Sequence, residues 1–237
     1  MCDNVSLARG FSQFGEDKML QQNFFCDNCS GRKYVEIGAL DGVKYSNTFL
    51  LERQYRWSGV LIEGHPENAA KLFRARGASG HNIIFNEAIC PKPTTMTFSG
   101  PSEIGTAGIL DFMDEKYLRR WGHRFRHAKN HSVPCRPLAT LLHLAGIQQI
   151  DFFSLDVEGA EYEVLKTMDW SIPVRVWLVE MDGTAQDHRS QAVRQILAKN
   201  GYVEARISVR GPNRLFVHRD LNSTLLQRMQ WCSGCKK

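Results

Sequence analysis

The sequence has no apolar run of about 18 residues or more, the length that a helix needs to cross a membrane. Residues 1–25 also lack the basic start and the apolar stretch that together form an export signal. From these two absences we expect the chain as written neither to span a membrane nor to be exported, and we expect a cytoplasmic location. A membrane anchor outside this sequence stays open.

Internal repeats and low-complexity segments are absent as well. Hydrophobic residues make up 43% of the 237 residues and charged residues 23%, a balance typical of an ordinary folded domain, which excludes general disorder. A second full domain is not expected, because single α/β domains often reach this length. We therefore predict one domain over residues 1–237.

Positive charge is in small excess, since the formal net charge is +5. This excess does not indicate a nucleic-acid-binding protein, and aromatic and basic residues do not interleave along the chain. Basic residues are concentrated between Lys116 and Lys129, where they could contact an anionic acceptor or the phosphates of a nucleic acid. A solvated basic surface is the alternative interpretation.

Cysteine occurs seven times, an odd number, in a chain long enough to form a core without disulfides. The cysteines are therefore predicted to be mainly free thiols in a reducing compartment. Cys26 with Cys29, and Cys232 with Cys235, have the two-residue gap of a zinc site. Structural zinc, a disulfide and unrelated thiols stay open for these pairs.

Helix-like and strand-like segments alternate along most of the chain. Strands are predicted at 33–38, 58–63, 81–89, 94–99, 150–157 and 174–180, and helices at 12–25, 46–54, 66–77, 160–168 and 188–200. Two further strand-like runs at 202–209 and 213–218 predict a terminal hairpin. The pattern predicts a Rossmann-like α/β domain with a mostly parallel sheet, which residues 100–131 interrupt as an insertion.

Acids and glycines follow the first predicted strand, at Glu36, Gly38, Asp41 and Gly42. The spacing is not the glycine triplet of dinucleotide-binding proteins, and the two acids would repel a pyrophosphate. An acid-lined turn suits instead the ammonium and sulfonium groups of S-adenosylmethionine. A purely structural turn is the alternative.

Glu63 ends the second predicted strand, 21 positions after Gly42. An acid at about this distance commonly accepts hydrogen bonds from the two hydroxyls of a ribose. Gly64 and His65 come next, and His65 is predicted to border the cofactor. Together with the first turn, Glu63 indicates a ligand that contains adenosine.

Carboxylates are also concentrated after the strands at 150–157 and 174–180. Asp156, Glu158 and Glu180 are candidates for the general base that takes a proton from an acceptor hydroxyl, with Asp156 first. If the two strands are neighbours, Asp156, Glu180 and Asp182 would also offer oxygen ligands to Mg²⁺. Turn capping is the alternative for Glu180 and Asp182, and Glu161 is interpreted as a first-turn helix acid.

Taken together, these segments resemble FkbM-type methyltransferases over about residues 11–218. The matching pieces occur in the order and spacing of the family, and they are Ser12-Gln13-Phe14-Gly15-Glu16-Asp17, Tyr34-Val35-Glu36-Ile37-Gly38-Ala39-Leu40-Asp41-Gly42, Ser46-Asn47-Thr48, Trp57-Ser58-Gly59-Val60-Leu61-Ile62-Glu63 and Leu155-Asp156-Val157-Glu158-Gly159-Ala160-Glu161. The family usually has a proline directly after the acid, where this chain has Gly64-His65-Pro66. The basic segment is unmatched.

The resemblance implies a seven-stranded class I methyltransferase fold and O-methyl transfer from S-adenosylmethionine to a sugar or natural-product hydroxyl. It adds Gln13 and Asn47 to the predicted cofactor-binding residues, and Asp156 is counted there as well. An RNA or other nucleic-acid methyltransferase, and a non-catalytic S-adenosylmethionine-binding module, are the alternatives.

Arg120 and Arg124 are predicted to bind the acceptor. They are four residues apart and would share one face of a helix, where they could grip an acidic sugar or a phosphate. The insertion at 100–131 would then cover the acceptor site. We expect a small-molecule acceptor, and the sequence does not indicate an oligomeric state.

Overall fold

The structure is a computed structural model that describes residues 10–25, 30–78, 80–102, 105–113, 115–126, 128–181, 187–207 and 209–220. The strands in these ranges are β1 (Lys33–Ile37), β2 (Ser58–Ile62), β3 (Asn82–Phe85), β4 (Ala88–Ile89), β5 (Thr94–Ser99), β6 (Gly108–Ile109), β7 (His131–Arg136), β8 (Ile150–Leu155), β9 (Val174–Glu180), β10 (Tyr202–Glu204) and β11 (Asn213–His218). The α-helices are α1 (Glu16–Asn23), α2 (Phe49–Tyr55), α3 (Pro66–Leu72), α4 (Glu115–Trp121), α5 (Leu138–Leu144), α6 (Glu161–Leu165) and α7 (His188–Lys199).

The larger sheet has seven strands in the order β10-β11-β9-β8-β1-β2-β3. The strand pairs from β9 through β8 and β1 to β2 and β3 are parallel, while β11 runs antiparallel to both β9 and β10. The predicted fold, a mostly parallel seven-stranded sheet with a terminal antiparallel hairpin, is confirmed.

Helices cover both faces of the central strands, which explains their continuous apolar character. Successive side chains of β1 point to opposite faces. Val35 and Ile37 pack in one hydrophobic cluster with side chains of α5, α6 and α7, and Tyr34 packs in another with side chains of α1, α2 and α3. None of the described helices is long and apolar enough to cross a membrane.

The smaller sheet was not predicted. Its order is β4-β7-β5-β6, and the predicted strand at 81–89 is divided between the two sheets, β3 in the larger and β4 in the smaller. The division falls at Asn86, whose side-chain amide donates to the carbonyl oxygens of Glu63 and Gly64. Ala88 and Ile89 pair instead with β7. The elements β7 and α5 also lay outside the predicted set.

Cys90 and Cys135 form a disulfide with their Cα atoms 5.7 Å apart. The prediction of mainly free thiols is therefore wrong for these two buried residues, and the inference of a reducing compartment from cysteine usage loses its basis. Pairing of β4 with β7 brings together cysteines that are 45 residues apart. The two predicted cysteine pairs, at 26 with 29 and 232 with 235, lie outside the described residues.

Candidate active site

A cavity of about 480 Å³ opens where β1, β2, β8 and β9 end at their carboxyl termini. The strand ends and the loops that follow them supply one part of its wall, and the inserted segment supplies another. Lining residues named in the sequence analysis are Gln13, Glu36, Gly38, Asn47, Glu63, Gly64, Arg120, Arg124, Asp156, Glu158 and Glu180. The cavity therefore brings together residues that are up to 167 positions apart, from Gln13 to Glu180.

The turn after β1 packs directly against the end of β8. Gly38 has a φ of 80°, in the left-handed region that glycine tolerates, and a Cβ at this position would overlap the carbonyl oxygen of Asp156. Leu40 also has a positive φ, of 50°, and its N–H donates to Glu63 Oε2 at 2.8 Å. The backbone of this turn is thus held against its two neighbouring strands.

Glu63 is 5% exposed, and each of its carboxylate oxygens accepts a backbone N–H. Leu40 N lies 2.8 Å from Oε2, and His65 N lies 2.7 Å from Oε1. Burial raises the pKa of Glu63 to about 7, although these two hydrogen bonds oppose the rise. The side chain is thereby fixed in direction, with lone pairs left for a ligand.

Glu36 lines the cavity but has mostly protein partners. Its carboxylate accepts hydrogen bonds from the hydroxyls of Ser46 and Thr48 and, at 2.7 Å, from Asn47 N. Arg76 Nη1 lies 3.4 Å from the same carboxylate. Glu36 therefore fixes the loop that carries Asn47.

Arg76 is fully buried behind this loop. Its guanidinium contacts Glu52 Oε2 at 2.6 Å, the hydroxyl of Tyr34 at 2.7 Å and the carbonyl oxygen of Gly42 at 3.3 Å. Arg76 thus neutralises the buried carboxylate of Glu36 and the partly buried carboxylate of Glu52.

Two buried amide oxygens in the cavity wall have no hydrogen-bond partner. Asn47 donates to Ser154 Oγ at 2.9 Å, while its Oδ1 is unsatisfied. Asn68 Oδ1 is unsatisfied as well, in a residue that is 2% exposed. Buried acceptors are normally satisfied, so these two atoms are exceptions within the described part of the chain. Sequence reasoning predicted Asn47 and missed Asn68.

Three carboxylates meet at the ends of β8 and β9. Oxygen atoms of Asp156, Glu158 and Glu180 lie within 4.8 Å of one another, as the adjacency of these strands requires. Burial raises the pKa of Asp156 to about 6, and a hydrogen bond from Glu180 opposes that rise. Burial raises the pKa of Glu180 well above its ordinary value, and the charges of Asp156 and Glu158 add to it. Glu180 is therefore the protonated partner, and Asp156 accepts its hydrogen bond.

Glu158 connects this cluster to the insertion. Its φ of 57° is in the left-handed region, which for a residue other than glycine stores strain and is concentrated at functional sites. The hydroxyl of Tyr117, on α4, lies 3.0 Å from Glu158 Oε2 and 2.8 Å from the carbonyl oxygen of Thr106. Tyr117 was not predicted as a site residue.

The insertion is also fixed by Arg189, near the start of α7. Its guanidinium donates to the carbonyl oxygens of Gly159 at 2.7 Å and Phe112 at 2.8 Å. One arginine thereby ties the insertion to the loop after β8. Residues of the insertion line the cavity, and the role predicted for residues 100–131, to cover the acceptor site, stays a prediction.

Arg120 and Arg124 line the cavity with Trp121 between them in sequence. Their guanidinium carbons lie 4.8 Å and 4.1 Å from the centre of the Trp121 ring. Cation–π contacts of this kind hold long side chains in place while the guanidinium keeps its charge. The cavity thus has basic residues in the wall that the insertion supplies and acids at the strand ends.

Three predicted cofactor residues do not line the cavity. Asp41 caps its own turn by accepting from the N–H groups of Val43 and Lys44. Gly42 packs against Leu72 and Arg76, where a Cβ would overlap their side chains.

The ring of His65, the third of these residues, turns away to cap α3 and lies 4.8 Å from the ring of His131. Its neighbour Gly64 touches Phe98, and a Cβ there would overlap that ring, which explains the absence of a proline directly after the acid. Asp182, the third predicted metal ligand, lies outside the described residues.

Comparison with known proteins identifies one family. The family model of the methyltransferase FkbM domain matches residues 36–204, and no curated protein sequence matches the chain. A methyltransferase FkbM from Methylobacillus flagellatus KT is a structural match with a TM-score of 0.47 and 13% identity, over 79% of this chain and 44% of that one.

Two other solved structures have similar scores. They are a SAM-dependent methyltransferase from Aquifex aeolicus (TM-score 0.42, 12% identity, 86% of this chain and 88% of that one) and the fibrillarin pre-rRNA processing protein of Methanococcus jannaschii (TM-score 0.45, 9% identity, 92% and 83%). The chain spans less than half the length of the Methylobacillus flagellatus protein. These structures are too distant to bear on activity, whereas the family model covers more than half of the chain.

Proposed function

Because the chain belongs to the FkbM methyltransferase family, we propose that it transfers a methyl group from S-adenosylmethionine to a hydroxyl of a small molecule. The observation that carries the proposal is the single cavity that Glu63, Asn47 and the Asp156–Glu180 pair line together. These residues offer a site for a ribose, a site for an ammonium group and a partly buried carboxylate that can accept a proton.

The cavity residues fit the cofactor. Glu63 is oriented by two backbone N–H groups and can accept from the ribose hydroxyls. Asn47 lines the cavity, and its side-chain amide is the proposed acceptor for the ammonium of the methionine portion. Gly38 lines the cavity and lets the turn after β1 pack against the carbonyl oxygen of Asp156, which a Cβ would overlap. Gln13, Glu36 and Gly64 complete the proposed cofactor wall.

Bound S-adenosylmethionine supplies an electrophilic methyl group on a sulfonium. The chain has to hold the acceptor oxygen in line with that group and remove its proton. Asp156 is the proposed base because it is ionised above a pH of about 6 and lines the cavity directly after the last residue of β8. Glu180, in its protonated form, holds the Asp156 carboxylate in one orientation, and Glu158 lies beside them as the third proposed catalytic acid.

The acceptor is proposed to be a carbohydrate or a natural-product-like molecule that carries an anionic group. Arg120 and Arg124 line the same cavity as Asp156 and can bind a carboxylate or phosphate on the acceptor. Tyr117 connects this wall to Glu158 through a hydrogen bond, so the proposed acceptor-binding arginines and the proposed base line one cavity.

Binding of Mg²⁺ is a second proposed role for the acid cluster. Asp156, Glu158 and Glu180 can each offer an oxygen ligand, since these atoms lie within 4.8 Å of one another. Activity that survives exhaustive dialysis against EDTA argues for the metal-free base, whereas loss that Mg²⁺ restores argues for the ion.

The experiment that tests the function is calorimetry with S-adenosylhomocysteine, followed by a screen of acceptors with labelled S-adenosylmethionine. The panel contains uronic acids, sugar phosphates, neutral sugars, phenols and RNA. Binding of S-adenosylhomocysteine, together with transfer of the labelled methyl group to a hydroxyl, supports the proposal. Transfer to RNA alone supports the nucleic-acid alternative, and binding without transfer to any acceptor supports the non-catalytic module.

A further inference from the structure

Glu161 is a buried acid to which no role has yet been given. It is the first residue of α6 and is 7% exposed. Its Oε1 accepts hydrogen bonds from the backbone N–H groups of Val157 and Gly159, each at 3.1 Å. A backbone N–H points where the chain directs it, so these contacts fix the carboxylate and the loop after β8 relative to each other.

The two N–H donors lie on either side of Glu158 in the sequence. Glu158 has a φ of 57° and Gly159 a φ of 97°, so two successive residues have a positive φ. Glycine adopts this conformation without steric cost, whereas glutamate does not. The two hydrogen bonds to Glu161 offset that cost, and they therefore stabilise a backbone conformation that Glu158 by itself disfavours.

The same turn is held at two further points. Asp156 N donates to the carbonyl oxygen of Ile37 at 3.2 Å, and the guanidinium of Arg189 donates to the carbonyl oxygen of Gly159 at 2.7 Å. The side chains of Asp156 and Glu158 line the cavity, and Glu161 is not among the lining residues. Glu161 thus contacts the backbone that carries two of the proposed catalytic acids, from outside the cavity.

The acceptor oxygen of Glu161 is a more constant feature than its charge. Burial raises the pKa of Glu161 to about 7, the hydrogen bonds from the backbone oppose that rise, and the charge of Asp156 adds to it. Near neutral pH the carboxyl group is therefore only partly ionised. An acceptor oxygen is present in both protonation states.

We propose that Glu161 is a positioning residue for methyl transfer, which holds the turn at 156–159 so that Glu158 meets Asp156 and Glu180. This inference rests on the proposed function. Oxygen atoms of these three acids lie within 4.8 Å of one another, an arrangement that depends on the direction in which the turn presents Glu158. A misplacement of about 1 Å in a catalytic arrangement is enough to lower a rate about a hundredfold.

Three substitutions of Glu161 separate hydrogen bonding from charge. Glu161→Gln keeps an acceptor oxygen at the same reach, Glu161→Asp keeps the charge but is one methylene shorter, and Glu161→Leu removes the acceptor. We expect kcat to fall about tenfold to a hundredfold in Glu161→Asp and Glu161→Leu and to stay within about threefold of the wild type in Glu161→Gln. The affinity for S-adenosylhomocysteine and the KM of the acceptor should stay within about threefold in all of them.

Amide hydrogen exchange gives a measurement that does not depend on turnover. The amides of Val157 and Gly159 should exchange at least about tenfold faster in Glu161→Asp and Glu161→Leu than in the wild type, and at the wild-type rate in Glu161→Gln. Exchange at both amides that is unchanged in Glu161→Leu would show that the carboxylate does not hold the turn, and would overturn the inference.

Glu163→Leu is the matched control, because Glu163 lies on the same helix, pairs with Lys166 and does not line the cavity. Its kcat and the exchange of the two amides should equal those of the wild type. Circular dichroism establishes that each variant is folded, and Glu161→Ala replaces Glu161→Leu if that protein does not fold.

The outcomes separate the two claims. A wild type that binds no S-adenosylhomocysteine, or transfers no methyl group, overturns the proposed function and the role of Glu161 with it. An active wild type together with a Glu161→Leu protein that keeps its kcat overturns the inference about Glu161 alone. An active Glu161→Asp protein together with an inactive Glu161→Gln protein assigns the effect to charge, and overturns the inference as well.

Discussion

Glu180 donates a hydrogen bond to Asp156 across the carboxyl ends of two adjacent parallel strands. The two side chains form one acid–base unit, since Glu180 keeps the proton and Asp156 keeps the charge. Two carboxylates in contact resist ionising together, and the surrounding acids increase that resistance. The unit thus has a base that is ionised near neutral pH and a partner that holds it in position.

Asp156→Asn should reduce kcat by about 10²- to 10⁴-fold while the affinity for S-adenosylhomocysteine stays close to the wild-type value. Glu163→Gln is the control, because Glu163 pairs with Lys166 and does not line the cavity. Loss of cofactor binding in the asparagine variant would instead assign Asp156 to the cofactor.

The pH dependence of turnover should follow the ionisation of Asp156. Below a pH of about 6 the carboxylate is protonated and cannot take the proton from the acceptor hydroxyl. We therefore expect kcat to rise as the pH increases through that value and then to level off. Residual turnover of Asp156→Asn should lack this step. A wild-type profile that is flat between pH 5 and 8 would show that this group is not the base.

Burial of Glu63 should make the ligand-free protein less stable as the pH rises. The pKa is about 7 in the folded protein, against an ordinary glutamate value of 4.5, so the folded protein binds more protons in this window and its stability falls between these values. Thermal unfolding of Glu63→Gln should show a smaller fall in Tm over the same range.

The Glu63→Gln variant should also bind S-adenosylhomocysteine about 1 to 3 kcal/mol more weakly. An unchanged affinity would remove Glu63 from the site.

Replacing Arg120 and Arg124 together with alanine should raise the KM of an anionic acceptor and leave donor affinity unchanged, because both guanidiniums line the acceptor wall. The effect of salt on turnover should weaken in parallel. Arg119→Ala is the control, since Arg119 lies beside Arg120 on α4, is exposed and pairs with Glu115. If acceptor kinetics at low salt are the same in the double variant and the wild type, the two arginines do not bind the acceptor.

Arg76→Met should lower the free energy of unfolding by about 3 to 5 kcal/mol, because it leaves the buried Glu36 and the partly buried Glu52 without a counter-charge. Arg74→Met, an exposed neighbour on the same turn, should change stability little. Denaturant unfolding measures both. Equal stabilities for the two variants would contradict the view that Arg76 neutralises the acids beneath the cavity.

The sequence predicted well those features that depend on short-range pattern. The limits of β9 are those of the predicted strand at 174–180, and Glu63 follows a strand whose apolar run ends at Ile62. Acids at strand ends were predicted to meet because parallel strands present their carboxyl ends at one edge. The Asp156–Glu180 contact follows from that rule and from the adjacency of β8 and β9.

Features that depend on long-range packing were missed. The strand β7 contains Pro134, which weakens a strand pattern, and it is recognisable only through its partners β4 and β5. Asn68 is a polar residue on a short helix, a position that usually faces solvent, and only the assembled cavity shows that it is buried. The alternation of strands and helices carries no information on either feature.

The Cys90–Cys135 bond can be oxidised or reduced, and the two forms of this pair differ in mass by two hydrogen atoms. In the oxidised form the segment leading out of Ile89 is tied covalently to the neighbouring strand, directly behind a stretch of wall formed by Glu87, Ala88 and Ile89. In the reduced form only hydrogen bonds and packing hold that wall. Ligand affinities measured on recombinant material therefore refer to whichever form the producing cell made, and mass spectrometry of the peptides that contain Cys90 and Cys135 identifies it in each preparation.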